Sequence, residues 1–232
     1  MGRNGTGKAR LRPVNPVGKN SGRAGLWTNT QAFAEGFVGE TEGGRAARKR
    51  AHELDIDPIS IGVASTLTVL TRALSARAVV EIGTGTGVAA AALLAGMAAD
   101  GVLTSIDAET ENQMVAREVL AADGVASRRV RLIAGQPLVV LPKLSDGGYD
   151  LVFIDGDPLE FVEYVAQAER LLRPGGVLAI HHSLWGGLVA DDRNEDDEPL
   201  IIREALAVVL EGDIFTATLL PIGDGLLVAV RS

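Results

Sequence analysis

The 232-residue sequence contains no cysteine, only three histidines, and aromatic residues at just 4% of the chain. Without cysteine there are no disulfides and no thiolate metal sites, which suits a reducing compartment. No apolar run reaches the length of a membrane-spanning helix, and the N-terminus lacks the apolar stretch of a secretory signal. A cytoplasmic location with no membrane partner is therefore expected. A basic excess is missing as well. The formal net charge is −8, whereas a protein that competes for nucleic-acid phosphates usually carries a positive one, so a small molecule is the expected partner. What is present fits an ordinary globular protein. Apolar residues at 47% and charged residues at 22% support a buried core, and the length suits one α/β domain with a short appendage.

Residues 1–34 hold six Lys or Arg and no acid, so the acidic excess lies wholly in the rest of the chain. Residues 1–25, rich in Gly, Asn, Pro and basic side chains without apolar periodicity, read as a flexible basic tail. An RNA-binding arm is the sharper alternative, but its few aromatics argue against stacking on bases. Residues 26–232 read as a single domain, with a helical cap over 26–76 and a core over 77–232. Apolar spacing predicts cap helices at Thr28 to Val38, Glu42 to Leu54 and Ile61 to Leu74.

After Ser75 short apolar runs alternate with helices, the pattern of parallel strands buried on both faces. Strands are predicted at Ala78 to Ile82, Val102 to Asp107, Val130 to Ala134, Asp150 to Asp155 and Val177 to His181. Intervening helices are predicted at Gly87 to Met97, Thr110 to Asp123, Pro137 to Leu144 and Pro158 to Leu172, the last stopped by Pro174-Gly175-Gly176. A helix near Leu200 to Leu210 precedes strands Phe215 to Leu220 and Leu226 to Val230. Their short connection, PIGDG, makes them an antiparallel hairpin. The expected fold is α/β, a doubly wound seven-stranded sheet with N-terminal helices and a C-terminal antiparallel hairpin, as in class I methyltransferases.

The first parallel strand runs into Glu81-Ile82-Gly83-Thr84-Gly85-Thr86-Gly87 and an Ala-rich helix. Glycines at that edge of an open α/β sheet let the backbone turn sharply and approach a nucleotide-like ligand. The dinucleotide fingerprint fails, because its third glycine would fall on Val88. The spacing instead suits a cationic sulfonium amino acid, with no pyrophosphate to seat. Asp107 ends the second strand, where two carboxylate oxygens match the vicinal hydroxyls of a ribose; the plainer reading is a strand-end helix cap. Gln136, after the third strand, could hydrogen-bond an adenine edge or face solvent.

With these residues in place, the sequence from about Ile59 onward resembles the catechol O-methyltransferase-like, or type 3, O-methyltransferases. VVEIGTGTG, TSID, the YDLVFIDGD of Tyr149 to Asp157, LLRPGG and the LWGG of Leu184 to Gly187 carry the likeness. The resemblance implies S-adenosyl-L-methionine as cofactor, transfer of its methyl group to a hydroxyl of a small, possibly aromatic, molecule, and a homodimer. It also implies that Glu81, Gly83 and Thr84, in the loop that continues through Gly85 and Gly87, line the methionine part, with Ile59 approaching from the preceding helix. Ala89 stands where the family often has Ser, Asp107 would hold the ribose, and Asp155 would lie where cofactor, metal and substrate meet.

Departures from the family fall on the chemistry. Its metal-using members follow the Asp with an Asp-Asn pair at the end of the next strand, where this chain has His181-His182, and their Lys three residues after the Asp is Pro158 here. The oxygen set that suits Mg²⁺ is absent. Asp155, His181 and His182 could together hold a transition metal, although consecutive strand residues point to opposite faces unless the strand has ended. Alternatively no metal is used and one His is the general base, a role that the unperturbed imidazole pKa of about 6.5 suits; or both merely pack at a strand end. Asp157 could add a carboxylate or cap a helix, and Trp185 could wall an aromatic substrate or belong to the core. The acidic run Asp191 to Glu198 has no ligand spacing and reads as a solvated loop. Two rivals remain. A cofactor-binding protein that has lost catalysis fits the missing Lys and Asp-Asn pair, whereas a nucleic-acid methyltransferase would need an Asn/Asp-Pro-Pro-Tyr/Phe motif where this chain reads Asp155-Gly156-Asp157-Pro158.

Overall fold

A computed structural model of the chain describes residues 21–232, so most of the stretch read as a tail lies outside the described residues. Three helices come first, α1 (Ser21–Glu35), α2 (Glu42–Glu53) and α3 (Ile61–Ala73). The α/β part follows as β1 (Ala78–Ile82), α4 (Val88–Gly96), β2 (Val102–Asp107), α5 (Thr110–Ala122), β3 (Val130–Ala134), α6 (Pro137–Val140), β4 (Tyr149–Ile154), α7 (Phe161–Leu171) and β5 (Leu172–Ile180). Helix α8 (Asp197–Glu211) then leads to β6 (Phe215–Leu220) and β7 (Leu226–Arg231).

The seven strands form one sheet in the order β3-β2-β1-β4-β5-β7-β6. The first five are parallel, and β7 runs antiparallel to both β5 and β6. This is the expected doubly wound sheet with its closing hairpin. Val79, Val80, Leu151, Val152 and Phe153 are fully buried because helices cover both faces. Leu67, Leu93 and Leu103 pack on one side, and Phe161, Tyr164, Ile202 and Val209 on the other. Each such side chain contributes roughly 1.5–3 kcal/mol when buried.

Local signals explain most boundaries. The side chains of Thr41 and Ser60 accept from the Gly44 and Val63 amides and so cap α2 and α3, each worth about 1 kcal/mol. Two elements depart most from expectation. Helix α1 starts at Ser21 and stops at Glu35, displaced from Thr28 to Val38. Strand β5 runs back through Pro174-Gly175-Gly176 to Leu172, with a register shift opposite Tyr149/Leu151. The proline and glycines are tolerated because the sheet is irregular there. Among the described residues, no helix is long and apolar enough to cross a membrane.

Strand order reverses between β1 and β4, where open α/β sheets leave a crevice beyond the strand ends. Gly83, just past β1, has φ +91°, and a Cβ on it would lie 2.2 Å from the Asp155 carbonyl oxygen. Only glycine fits there.

Candidate active site

Two adjoining cavities open at this crevice. The first, about 210 Å³, is lined by Ile59, Gly83, Thr84, Gly85, Ala89, Asp107, Asp155 and His182, among others. The second, about 320 Å³, shares Gly83, Asp107 and Asp155 and extends along Gln136, Pro137, Asp157, Glu160 and Tyr164. Eight of the predicted site residues thus meet in the first cavity, and Gln136 stands in the second. A larger apolar cavity of about 390 Å³ lies between α3 and the turn before α2. Its one ionisable lining residue, Glu40, is already paired with Arg48.

Glu81, Gly87 and His181 line neither crevice cavity. Gly87 instead ends the loop at φ +93° as the N-cap of α4. Glu81, near the end of β1, is fully buried, with no hydrogen-bond partner for either carboxylate oxygen. Burial pushes its carboxyl up to about 8. The nearby Ser105 hydroxyl, itself paired with Thr84, offsets part of that, and the Asp155 and Asp107 charges add to it.

Asp107 is a scaffold for the loop. Its Oδ2 accepts from the Thr84 and Gly85 amides, both at 2.9 Å, its Oδ1 accepts from the Glu109 amide at 2.8 Å, and Asn112 bridges both oxygens at 3.3–3.4 Å. The weak Asn112 contacts are the ones a ligand hydroxyl can replace without disturbing the loop. In the second cavity Tyr164 donates to Glu160, and burial followed by that bond pushes its phenol upward. Asp157 accepts from the Leu159 amide, the capping role of its two expected readings.

Both histidines reach Asp155 because β5 ends at Ile180, one residue before the expected end. The rule that neighbours alternate across a strand lapses there, and His182 takes a left-handed conformation with φ +56°. The two rings lie 4.0 Å apart between centroids. His181 is 4% exposed, and its Nδ1 lies 2.8 Å from Asp155 Oδ1. A carboxylate only accepts, so that nitrogen carries the proton, which leaves Nε2 buried without a partner. His181 therefore braces Asp155 from behind.

His182 faces the first cavity. Its Nδ1 lies 2.9 Å from Asp224 Oδ2, which places the proton on Nδ1 and the lone pair on Nε2, 3.7 Å from Asp155 Oδ1. Trp185 meets its ring edge-on at 5.5 Å and also packs on the core beside α7, so both expected readings of Trp185 have a basis. Asp224 was missed by sequence reasoning. It sits in the β6–β7 turn, where PIGDG signals a turn and nothing more.

Asp155, His181 and His182 place one possible ligand atom each within 4.8 Å of one another. The set does not fit Mg²⁺, which needs an octahedral shell of oxygens. It offers a single carboxylate, and that carboxylate is hydrogen-bonded to His181.

A doubly wound sheet with a closing hairpin, a glycine loop at the switch point and an acid at the end of β2 define a class I S-adenosylmethionine-dependent methyltransferase. The O-methyltransferase family model matches residues 44–232. The chain is 43% identical over 216 residues to a putative O-methyltransferase of a Mycobacterium strain, covering 93% of this chain and 97% of that protein. A probable O-methyltransferase of Mycobacterium tuberculosis is 42% identical over 89% of this chain and 90% of its own length. Among solved structures, the O-methyltransferase TomG of Streptomyces achromogenes, in complex with SAM, superposes with a TM-score of 0.81 at 27% identity, covering 90% of this chain and 98% of that one. The chain belongs to the O-methyltransferase family.

Proposed function

We propose that this chain transfers the methyl group of S-adenosylmethionine to a hydroxyl of a small molecule, with His182 as general base. The observation that carries the reading is the Asp224–His182 pair, which leaves an imidazole lone pair facing Asp155 at the wall of the cleft. The glycine loop and Ile59 would hold the methionine part, Asp107 the ribose and Gln136 the adenine. When bound, the sulfonium donor supplies a methyl carbon that its sulfur readily releases to an attacking oxygen. Nε2 of His182 takes the proton of the acceptor hydroxyl, and Asp224 stabilises the imidazolium so formed. Asp155, braced by His181, orients the hydroxyl between itself and His182. His181 is thus a positioning residue in this reading. No step runs through a metal.

Phenols and catechols are the acceptors to assay first, with labelled methyl donor, with and without chelator. Turnover indifferent to chelator and reduced by about 10²–10⁴ in His182→Ala is expected. Turnover abolished by chelator and restored by one particular metal would overturn the base assignment. Donor binding with no turnover on any acceptor would favour the binding-only rival.

A further inference from the structure

The tip of the β6–β7 hairpin is held from several directions. Asp224 spends both carboxylate oxygens, Oδ2 on His182 Nδ1 and Oδ1 on the Gly186 amide at 2.6 Å, while its carbonyl accepts from the Leu184 amide. Gly225, at φ +87°, packs so closely on Leu184 that a Cβ would lie 2.5 Å from its Cγ. One residue before Asp224, the Gly223 amide donates to Glu35 at the end of α1, 2.6 Å away. The other oxygen of Glu35 accepts from the Ser60 hydroxyl at 2.7 Å and the Gly62 amide at 2.8 Å.

The space for Glu35 is built by glycine. A Cβ on Gly62 would lie 2.2 Å from Glu35 Oε2, and a Cβ on Gly223 would lie 2.9 Å from Val63 and 3.2 Å from His181 Nε2. A half-buried carboxylate with three donors converging on it is an anchor, and here it joins the start of α3 to the turn that carries Asp224.

We propose that Asp224, clamped in place by Glu35, is the positioning residue that fixes His182 in the Nδ1–H tautomer and aims Nε2 into the cleft. The idea deepens the His182-base reading and rests on it for its catalytic meaning. Its physical content, the tautomer, is separate. Replacing Asp224 by Asn keeps the size and an acceptor for Gly186. The Asn amide then donates to Nδ1, which drives the proton to Nε2 and removes the lone pair from the cleft. Replacing Glu35 by Gln keeps the shape but removes the charge that gathers the three donors.

The test is ¹⁵N NMR of histidine-labelled full-length protein without substrate, read beside turnover and donor binding. Wild type should show His182 as the Nδ1–H tautomer and Asp224→Asn as the Nε2–H tautomer. In Asp224→Asn kcat should fall by about a thousandfold or more, as when a triad carboxylate becomes an amide, with the donor Kd within about twofold. Glu35→Gln should lower kcat by about tenfold and leave donor binding unchanged, with a mixture of His182 tautomers. A purely structural role would lower thermal stability in both variants and leave the tautomer alone. An unchanged tautomer in Asp224→Asn overturns the proposal, and so does unchanged kcat and tautomer in Glu35→Gln. If His182→Ala keeps full turnover while the tautomer still switches, the base reading fails and the clamp stands.

Discussion

Glu81 is the residue whose burial has the clearest thermodynamic signature. The folded chain keeps its carboxyl protonated up to about pH 8, whereas the ordinary value is 4.5. Between these values the native state binds more protons than the unfolded one, so stability falls as pH rises through that window and levels off above it. Glu81→Gln should remove this slope and stabilise the ligand-free protein by about 3 kcal/mol at pH 7. Urea unfolding of both proteins from about pH 5 to pH 8 measures it, and a variant with the wild-type slope would show that Glu81 is not the group responsible. The same carboxyl was expected to line the methionine site. It is fully buried near the end of β1 and lines neither cavity, a depth that a linear motif does not encode. Asp107 was legible because a strand-end acid must meet the adjacent loop. That the loop's own amides would occupy most of its oxygens was not, since backbone donors have no signature in side-chain identity.

At the scale of elements, the loop between β1 and α4 shows how one glycine shapes the cleft proposed to hold the methyl donor. Gly83→Ala combines a positive φ with a Cβ 2.2 Å from the Asp155 carbonyl. We expect a loss of at least about 2 kcal/mol of stability and no measurable donor binding by calorimetry. Wild-type affinity in that variant would mean that the loop does not carry the site. Strands β1, β2, β3 and β6 match their expected bounds residue for residue; β1 and β2 are buried on both faces, whereas β3 and β6 are partly exposed strands at the two edges of the sheet. Helix α1 was misplaced by several residues, since its Gly- and Asn-containing sequence lacks a strong apolar face. The histidine pair defied the alternation rule for a local reason: β5 stops at Ile180, and the chain then turns left-handed at His182. Its partner Asp224 lies 42 residues further on, beyond the reach of any spacing argument.

For the whole molecule, ligand linkage gives the broadest check of the cofactor assignment. S-adenosylmethionine at about a hundred times its Kd should stabilise the protein by about 2.7 kcal/mol, raising Tm by roughly 5–10 °C for a chain of this size. In Asp107→Ala, which loses the loop's amide acceptor and the proposed ribose acceptor, this rise should disappear. A rise of the same size in that variant would remove Asp107 from the cofactor site. The architecture as a whole was readable because alternating strands and helices admit few topologies. The proposed chemistry was not, because it rests on contacts between residues far apart in sequence.

The bond from Gly223 to Glu35 joins residues 188 positions apart in sequence, and that separation has a meaning in time. Every residue lining the two cavities up to His182 leaves the ribosome before the hairpin that carries Asp224. The residues proposed to hold the methyl donor are thus made before the one proposed to orient the base.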